Sequence, residues 1–133
     1  QDRLDEAEVM FQLALDISSR MEESDLRLVS MALNRQATLE LTRGNIEKAK
    51  ENFEKILETK IEAIGEMHLD TAEAYDSVSL ILLYMGRLED GIAKSARSLK
   101  IQRRLLGDDD PRTQTRMQKH RSLLEQLLRS NQR

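Results

Sequence analysis

The sequence predicts an all-α fold, an α-solenoid of antiparallel helix pairs with about six helices, on three observations. Leu, Ala, Glu, Lys and Arg dominate the 133 residues, only 3% are aromatic and there is no Trp. That composition favours helix over strand. Gly44, Gly65, Gly86 and Gly107 recur at intervals of 21 residues. Glycine best tolerates the left-handed conformation just past a helix, so an even series of glycines marks evenly spaced helix ends. The third observation is a period of 42 residues in residue type. Leu4, Ala7, Phe11, Ala14 and Leu15 return as Ile46, Ala49, Phe53, Ile56 and Leu57, then as Leu88, Gly91, Ser95, Ser98 and Leu99.

Each element follows from these signals. Helix 2–22 carries the first stripe, whose spacing lies on one helix face and whose second position is always small. A small residue there lets a neighbouring helix come close. Helix 25–43 is of a second class, with the thinner stripe Leu33, Ala37, Leu41, and ends before Gly44. Helix 46–64 repeats the first class up to Gly65. Helix 69–85 repeats the second with Ala74, Val78, Ile81, Leu82 and Met85. Helix 88–106 is again of the first class, and helix 111–129 of the second. Calling the second class A and the first B, the chain reads as a single array over 1–133. It comprises a B helix of a truncated repeat (2–22), repeats over 25–64 and 67–106, and a last A or capping helix (111–129). Asp2 stands where Gly44 and Gly86 stand, so the chain opens inside a repeat and reads as a piece of a longer protein.

Some positions break the pattern. Ser95 replaces Phe11 and Phe53, and close-packed interiors rarely leave such a volume empty, so Met117 or Leu124 is expected to fill it, the alternative being a small pocket there. Gln36 and Glu40 fall where Val78 and Leu82 stand; a buried carboxylate needs a partner, so Glu40 is expected to be partly exposed or paired with an Arg. His120 and Arg121 occupy core-facing places of the last helix, as a polar terminal cap would allow.

The charge is −3 overall but uneven: residues 94–133 hold 11 of the 21 basic and 4 of the 24 acidic residues. Such a basic face, here Arg97, Lys100, Arg103, Arg104, Arg112 and Arg116 with Lys119, can meet nucleic acid or an acidic partner. Solvated cations near helix C-termini explain most of it, and no aromatic residues interleave them as base stacking requires. No run of 18 apolar residues exists, so no membrane span is expected. The absence of cysteine removes disulfide and thiol chemistry and says little about compartment.

Little else points to chemistry. His68 and His120 sit 52 residues apart in non-equivalent parts of the repeat, and no phosphate-cradling or nucleophile-elbow pattern occurs. Asp108-Asp109-Asp110 lacks the alternate spacing and terminal Glu of a calcium loop. The stretch reads instead as a helix junction: Gly107 ends one helix, an Asp caps the next, Pro111 takes its first turn, and the remaining aspartates are solvated. No enzyme activity, metal or cofactor is expected.

A 42-residue helix-pair period also suits HEAT-type arrays, and ordinary tetratricopeptide repeats run at 34. Residue detail separates them. Tyr75, Val78, Leu82 and Gly86-Arg87-Leu88-Glu89-Asp90-Gly91, with the links Ile64-Gly65-Glu66-Met67-His68-Leu69-Asp70-Thr71 and Leu106-Gly107-Asp108-Asp109-Asp110-Pro111-Arg112-Thr113, resemble tetratricopeptide repeats of the kinesin-light-chain type. Arg3-Leu4-Asp5-Glu6-Ala7-Glu8 with Phe11 resembles a B helix of that family.

The resemblance implies a superhelix with A helices along a concave groove that holds a peptide or protein segment. The groove positions would be Asn34, Arg35, Thr38, Leu41 and Thr42, then Asp76, Ser77, Leu80, Leu83 and Tyr84, then Gln118, Lys119, Ser122 and Glu125. The chaperone-tail-binding branch clamps a terminal carboxylate; here Thr38, Ser77 and Thr115 stand at clamp positions and only Lys119 matches in character. The paired asparagines of kinesin light chains appear as Asn34-Arg35, Asp76-Ser77 and Gln118-Lys119, so cargo identity does not carry over. The expected partner is a protein or peptide. Self-association through the array ends is the alternative, and nucleic acid ranks below both.

Overall fold

A computed structural model of the chain describes residues 2–18 and 23–132, with the backbone alone at 2–5, 7, 18 and 23–27. The expected helical stretch 19–22 and the side chains of Leu4 and Ala7 lie outside the described residues. Six α-helices follow one another: α1 Asp2–Ser18, α2 Glu23–Thr42, α3 Ile46–Ile64, α4 Leu69–Tyr84, α5 Leu88–Leu106 and α6 Pro111–Asn131. No strand occurs among the described residues. The all-α helical-repeat class expected from the sequence is the one observed, and helices α2 to α6 begin and end within two residues of the expected bounds. The chain divides into two compact units, Gln1–Gly65 with α1–α3 and Glu66–Arg133 with α4–α6.

Two kinds of junction account for the glycine series. At the ends of α2 and α4 the chain closes in the same double hydrogen bond. Gly44 N–H donates to the Leu41 carbonyl and Asn45 N–H to Glu40, as Gly86 does to Leu83 and Arg87 to Leu82, all at 2.9–3.0 Å. This crossed pair satisfies carbonyls that a helix end leaves open, and it needs positive φ at the glycine. Gly65 and Gly107 end α3 and α5 differently, at φ 84°, ψ 170° and φ 85°, ψ 163°. That region is open to glycine almost alone.

Past those glycines, two residues 42 apart do the same task. His68 Nδ1 accepts from the Asp70 N–H at 3.0 Å, and Asp110 Oδ1 accepts from the Arg112 N–H at 2.8 Å. Each satisfies one free donor at the start of an A-type helix. Pro111 occupies the first turn of α6, as expected. Asp108 is exposed, as expected, and also accepts two hydrogen bonds of 2.8 and 3.1 Å from the Arg103 guanidinium.

In the first unit α3 buries Ala49, Phe53, Ile56 and Leu57, a single face at i, i+4, i+7 and i+8. Leu33 and Ala37 of α2, and Phe11 and Leu15 of α1, complete this core. Each large side chain there contributes about 1.5–3 kcal/mol by leaving water. Glu40 corrects an expectation: it is only 4% exposed, and its carboxylate accepts from the Asn45 amide at 3.0 Å with no arginine involved. The helix junction itself supplies the partner.

The second unit is built around a closer helix contact. A Cβ added at Gly91 of α5 would lie 2.7 Å from Leu83 Cδ2 of α4 and 3.3 Å from the Ser79 carbonyl. The missing methyl lets the helices meet, and the Ser79 hydroxyl donates to the Gly91 carbonyl at 2.7 Å across the contact. Also buried in this unit are Ala74, Tyr75, Val78, Ile81 and Leu82 of α4 with Ile92 and Ile101 of α5. Leu124, expected to fill the space at Ser95, is exposed, and Met117 is half-buried. The Ser95 hydroxyl shares a 3.1 Å hydrogen bond with His120 Nδ1 of α6. Arg121, expected to face the core, is exposed, and His120 is half-buried.

Candidate functional site

The A-type helices carry the residues expected to meet a partner. On α2 of the first unit, Arg35, Thr38 and Thr42 are exposed, while Asn34 and Leu41 are half-buried. The threonine hydroxyls donate back into their own helix, to the carbonyls of Asn34 and Leu39, both at 2.8 Å. Asn34 donates its amide to the Ser30 carbonyl at 2.9 Å, and its Oδ1 is buried without a partner. This face is polar, with its donors mostly engaged.

On α4 of the second unit, Leu80 and Tyr84 are each 68% exposed and one helical turn apart, on the side away from the Ala74–Val78–Leu82 core stripe. Ser77, half-buried, lies one turn before Leu80 and donates to the Glu73 carbonyl at 3.3 Å. Leu83 does not join them: it is half-buried against Gly91 and serves the α4–α5 contact. On α6, Gln118, Lys119, Ser122 and Glu125 are exposed.

Asp76 and Arg116, assigned from the sequence to two different surfaces, form one ion pair joining α4 to α6. Burial pushes the Asp76 carboxyl above the usual carboxylate range, although Arg116 and Lys119 pull it the other way. Asp76 Oδ1 is buried without a partner, like that of Asn34 at the equivalent place 42 residues earlier.

The basic face is largely neutralised within the unit. Arg97 pairs with Glu66 at 3.2 Å, Arg103 with Asp108, Arg112 with Asp110, and Arg116 with Asp76. Of the six cations assigned to it, Lys100 and Arg104 alone have no carboxylate within salt-bridge distance among the described residues. Glu66 is a hub that sequence reasoning missed: it also accepts from the Tyr75 hydroxyl at 3.0 Å, tying the junction to α4 and α5. Burial and the adjoining carboxylate raise the Tyr75 pKa. The 42-residue register could have flagged Glu66, because it aligns with Asp108.

Among the described residues no group of three His, Asp or Glu side chains is arranged to hold a metal ion. Nor is any described helix long and apolar enough to cross a membrane.

Residues 71–112 match the family model of the tetratricopeptide repeat. Among solved structures, the chain is similar to the crystal structure of BtubC (BKLC) from P. vanneervenii, with a TM-score of 0.68 at 20% sequence identity. The likeness covers 92% of this chain and 48% of that one, so this chain spans about half the length of BtubC and shares its fold. No curated protein sequence matches the chain. Residues 71–112 thus match the repeat that the 42-residue period and the junction sequences resemble.

Proposed function

We propose that this tetratricopeptide-repeat chain is a non-catalytic scaffold domain that holds a peptide or extended protein segment against its A-type helices. Tetratricopeptide repeats are generally non-catalytic and bind protein partners. In this reading 25–64 and 67–106 are whole repeats, with 2–22 and 111–129 as partial repeats at either end. The observation that carries the proposal is the pair Leu80 and Tyr84, large apolar side chains left 68% exposed on successive turns of α4. An exposed aromatic beside an aliphatic side chain is the common anchor of a protein interface. Within the second unit, Ser77 on α4 and Gln118, Lys119 and Ser122 on α6 supply polar groups for an extended backbone; within the first, Asn34, Arg35, Thr38 and Thr42 on α2 do so on their own.

The test is selection of binding peptides from a displayed random library, followed by titration against Leu80→Ala/Tyr84→Ala. Loss of about tenfold or more in affinity is expected, the scale of an interface anchor. Peptides that bind the double variant unchanged would remove the assignment.

A second reading, self-association, has one observation in its favour. Val9, Met10, Leu13 and Ile17 of α1 are all about half exposed or more, whereas the equivalent α3 positions hold Glu51, Asn52, Lys55 and Thr59. An apolar patch of this kind marks a contact surface. Sedimentation velocity at rising concentration should then show a dimer that Leu13→Glu abolishes; a monomer throughout removes this reading.

A further inference from the structure

Unlike the A-helix surface, one face of α5 combines an open pocket, an apolar floor and unneutralised charge. A pocket of about 470 Å³ lies between α5 and α6, with Ala96 and Leu99 at its floor and Lys100, Arg103, Arg104 and His120 around it. We infer that this pocket docks an acidic amphipathic helix of a partner protein.

The internal repeat says what kind of element belongs there. Gln12, Leu15 and Asp16 of α1 stand 84 residues before Ala96, Leu99 and Lys100, two full periods. In the first unit those α1 residues line a cleft whose other wall is a helix, α3, through Lys55, Glu58 and Thr59. Leu15 is buried there, whereas Leu99 is left half-buried. The face of α5 that bears Leu99 is therefore the face against which a helix packs in this architecture, and the occupant needs an apolar side chain over Leu99 and Ala96.

Charge fixes the occupant's chemistry. At the equivalent places α3 carries Glu54, Glu58 and Glu62, one per turn, where α5 carries Ala96, Lys100 and Arg104. In the first unit the two helices of this class are joined by opposite charges, Glu8 of α1 to Lys48 at 3.4 Å and to Lys55 at 3.5 Å. Those pairs do not use the 54/58/62 row, where α5 has Lys100 and Arg104 in place of Glu58 and Glu62, and two exposed cations on this face favour an occupant that carries carboxylates. Arg103 is already held by Asp108 at the pocket rim, which leaves Lys100 and Arg104, both exposed and spaced i, i+4, to take them. His120 closes the wall with its Nδ1 engaged by Ser95, and burial keeps its pKa below the ordinary value, so it adds polarity and not positive charge at neutral pH.

Nucleic acid fits less well. Two unpaired cations neutralise few phosphates, and no Phe, Tyr or Trp lines the pocket for a base to stack on. A second copy stacked through its α1 face would bring Val9, Met10 and Leu13 onto lysine and arginine, which leaves the charges unanswered.

The experiment uses the 133-residue chain and two fluorescein-labelled helical peptides of Ala and Leu. One carries Glu at every fourth position and the other Gln at the same places. Fluorescence anisotropy should show the Glu peptide binding, with affinity reduced about tenfold or more for the Gln peptide, for Lys100→Glu/Arg104→Glu, and in raised salt. Leu80→Ala/Tyr84→Ala should bind the Glu peptide as the parent does, so failure of this site and failure of the A-helix surface are told apart. Both substituted cations are exposed, and circular dichroism checks that the fold is kept. Equal binding of the two peptides, or no effect of the double charge reversal, overturns the inference. So does tighter binding of a single-stranded oligonucleotide at Lys100 and Arg104, which would assign the pocket to nucleic acid.

Discussion

The two units fill the same repeat positions by different means. The first places Ala49 and Phe53 on α3; the second has Gly91 and Ser95 at the equivalent places on α5. Volume does the work in the first, where Phe53 and Phe11 are buried among Ile56, Leu57 and Leu33. Approach and hydrogen bonding do it in the second. Gly91 brings α5 against α4, Ser79 bonds across the contact, and Ser95 reaches His120 of α6. Equivalent residues in a repeat are thus not interchangeable parts. Each has been matched to its own neighbours, and a residue moved by 42 positions meets a different environment.

Exchanging the residues breaks the comparison most directly. Phe53→Ser should cost about 3–5 kcal/mol, since it empties a packed site and leaves a hydroxyl without a partner. The loss should appear as a lower midpoint in urea denaturation followed by circular dichroism. The reverse exchange, Ser95→Phe, should cost less, about 1–3 kcal/mol, as an overpacked contact against α6. A Ser95→Phe protein as stable as the parent would show that the α5–α6 space was never filled.

The smaller exchange concerns the helix contact. Gly91→Ala gains about 1 kcal/mol in helix propensity but sets a methyl within 2.8 Å of Leu83 Cγ, 2.7 Å of its Cδ2 and 3.3 Å of the Ser79 carbonyl, so the Leu83 side chain must turn aside or α4 and α5 must part slightly. A net loss of about 1 kcal/mol is expected. Ala49→Gly in the first unit should also lose about 1 kcal/mol, because a fully buried methyl and helix propensity go together there. If Gly91→Ala proved stabilising, the close approach would not be what holds the second unit.

What the sequence made legible follows from which forces are local. Helix ends depend on a few consecutive residues, so Gly44, Gly65, Gly86, Gly107 and the Asp110–Pro111 start were readable from type and spacing. The core stripes were readable because burial imposes a helical period. Partner choice was not readable where it depends on side-chain reach between elements. Glu40 is satisfied by Asn45, five residues away around a turn, and not by an arginine. Asp76 and Arg116 looked like members of two surfaces until α4 and α6 brought them together. Leu83 shows the same limit on a single helix: it was grouped with Leu80 and Tyr84, yet only packing reveals that Gly91 draws it inward. His68 could have been recognised as a cap, because it aligns with Asp110. The residue type concealed it, since a ring nitrogen seldom plays that role.

The smallest expected effect tests the polar half of the comparison through pH. Burial lowers the pKa of His120 below its ordinary 6.5, so the folded chain resists a proton that the unfolded chain accepts. The sign follows from linkage: where the unfolded state binds more protons, stability falls as pH falls. His120 therefore contributes fully above about pH 6.5, and its contribution is lost as pH drops through the depressed folded value. Denaturation midpoints measured from pH 7.5 down to 5 should fall, and His120→Gln, which cannot titrate, should flatten that part of the curve. Phe53→Ser should shift the curve without changing its slope, because no described histidine lines its site in the first unit. If His120→Gln left the slope unchanged, the Ser95–His120 contact would not be the source of the pH dependence.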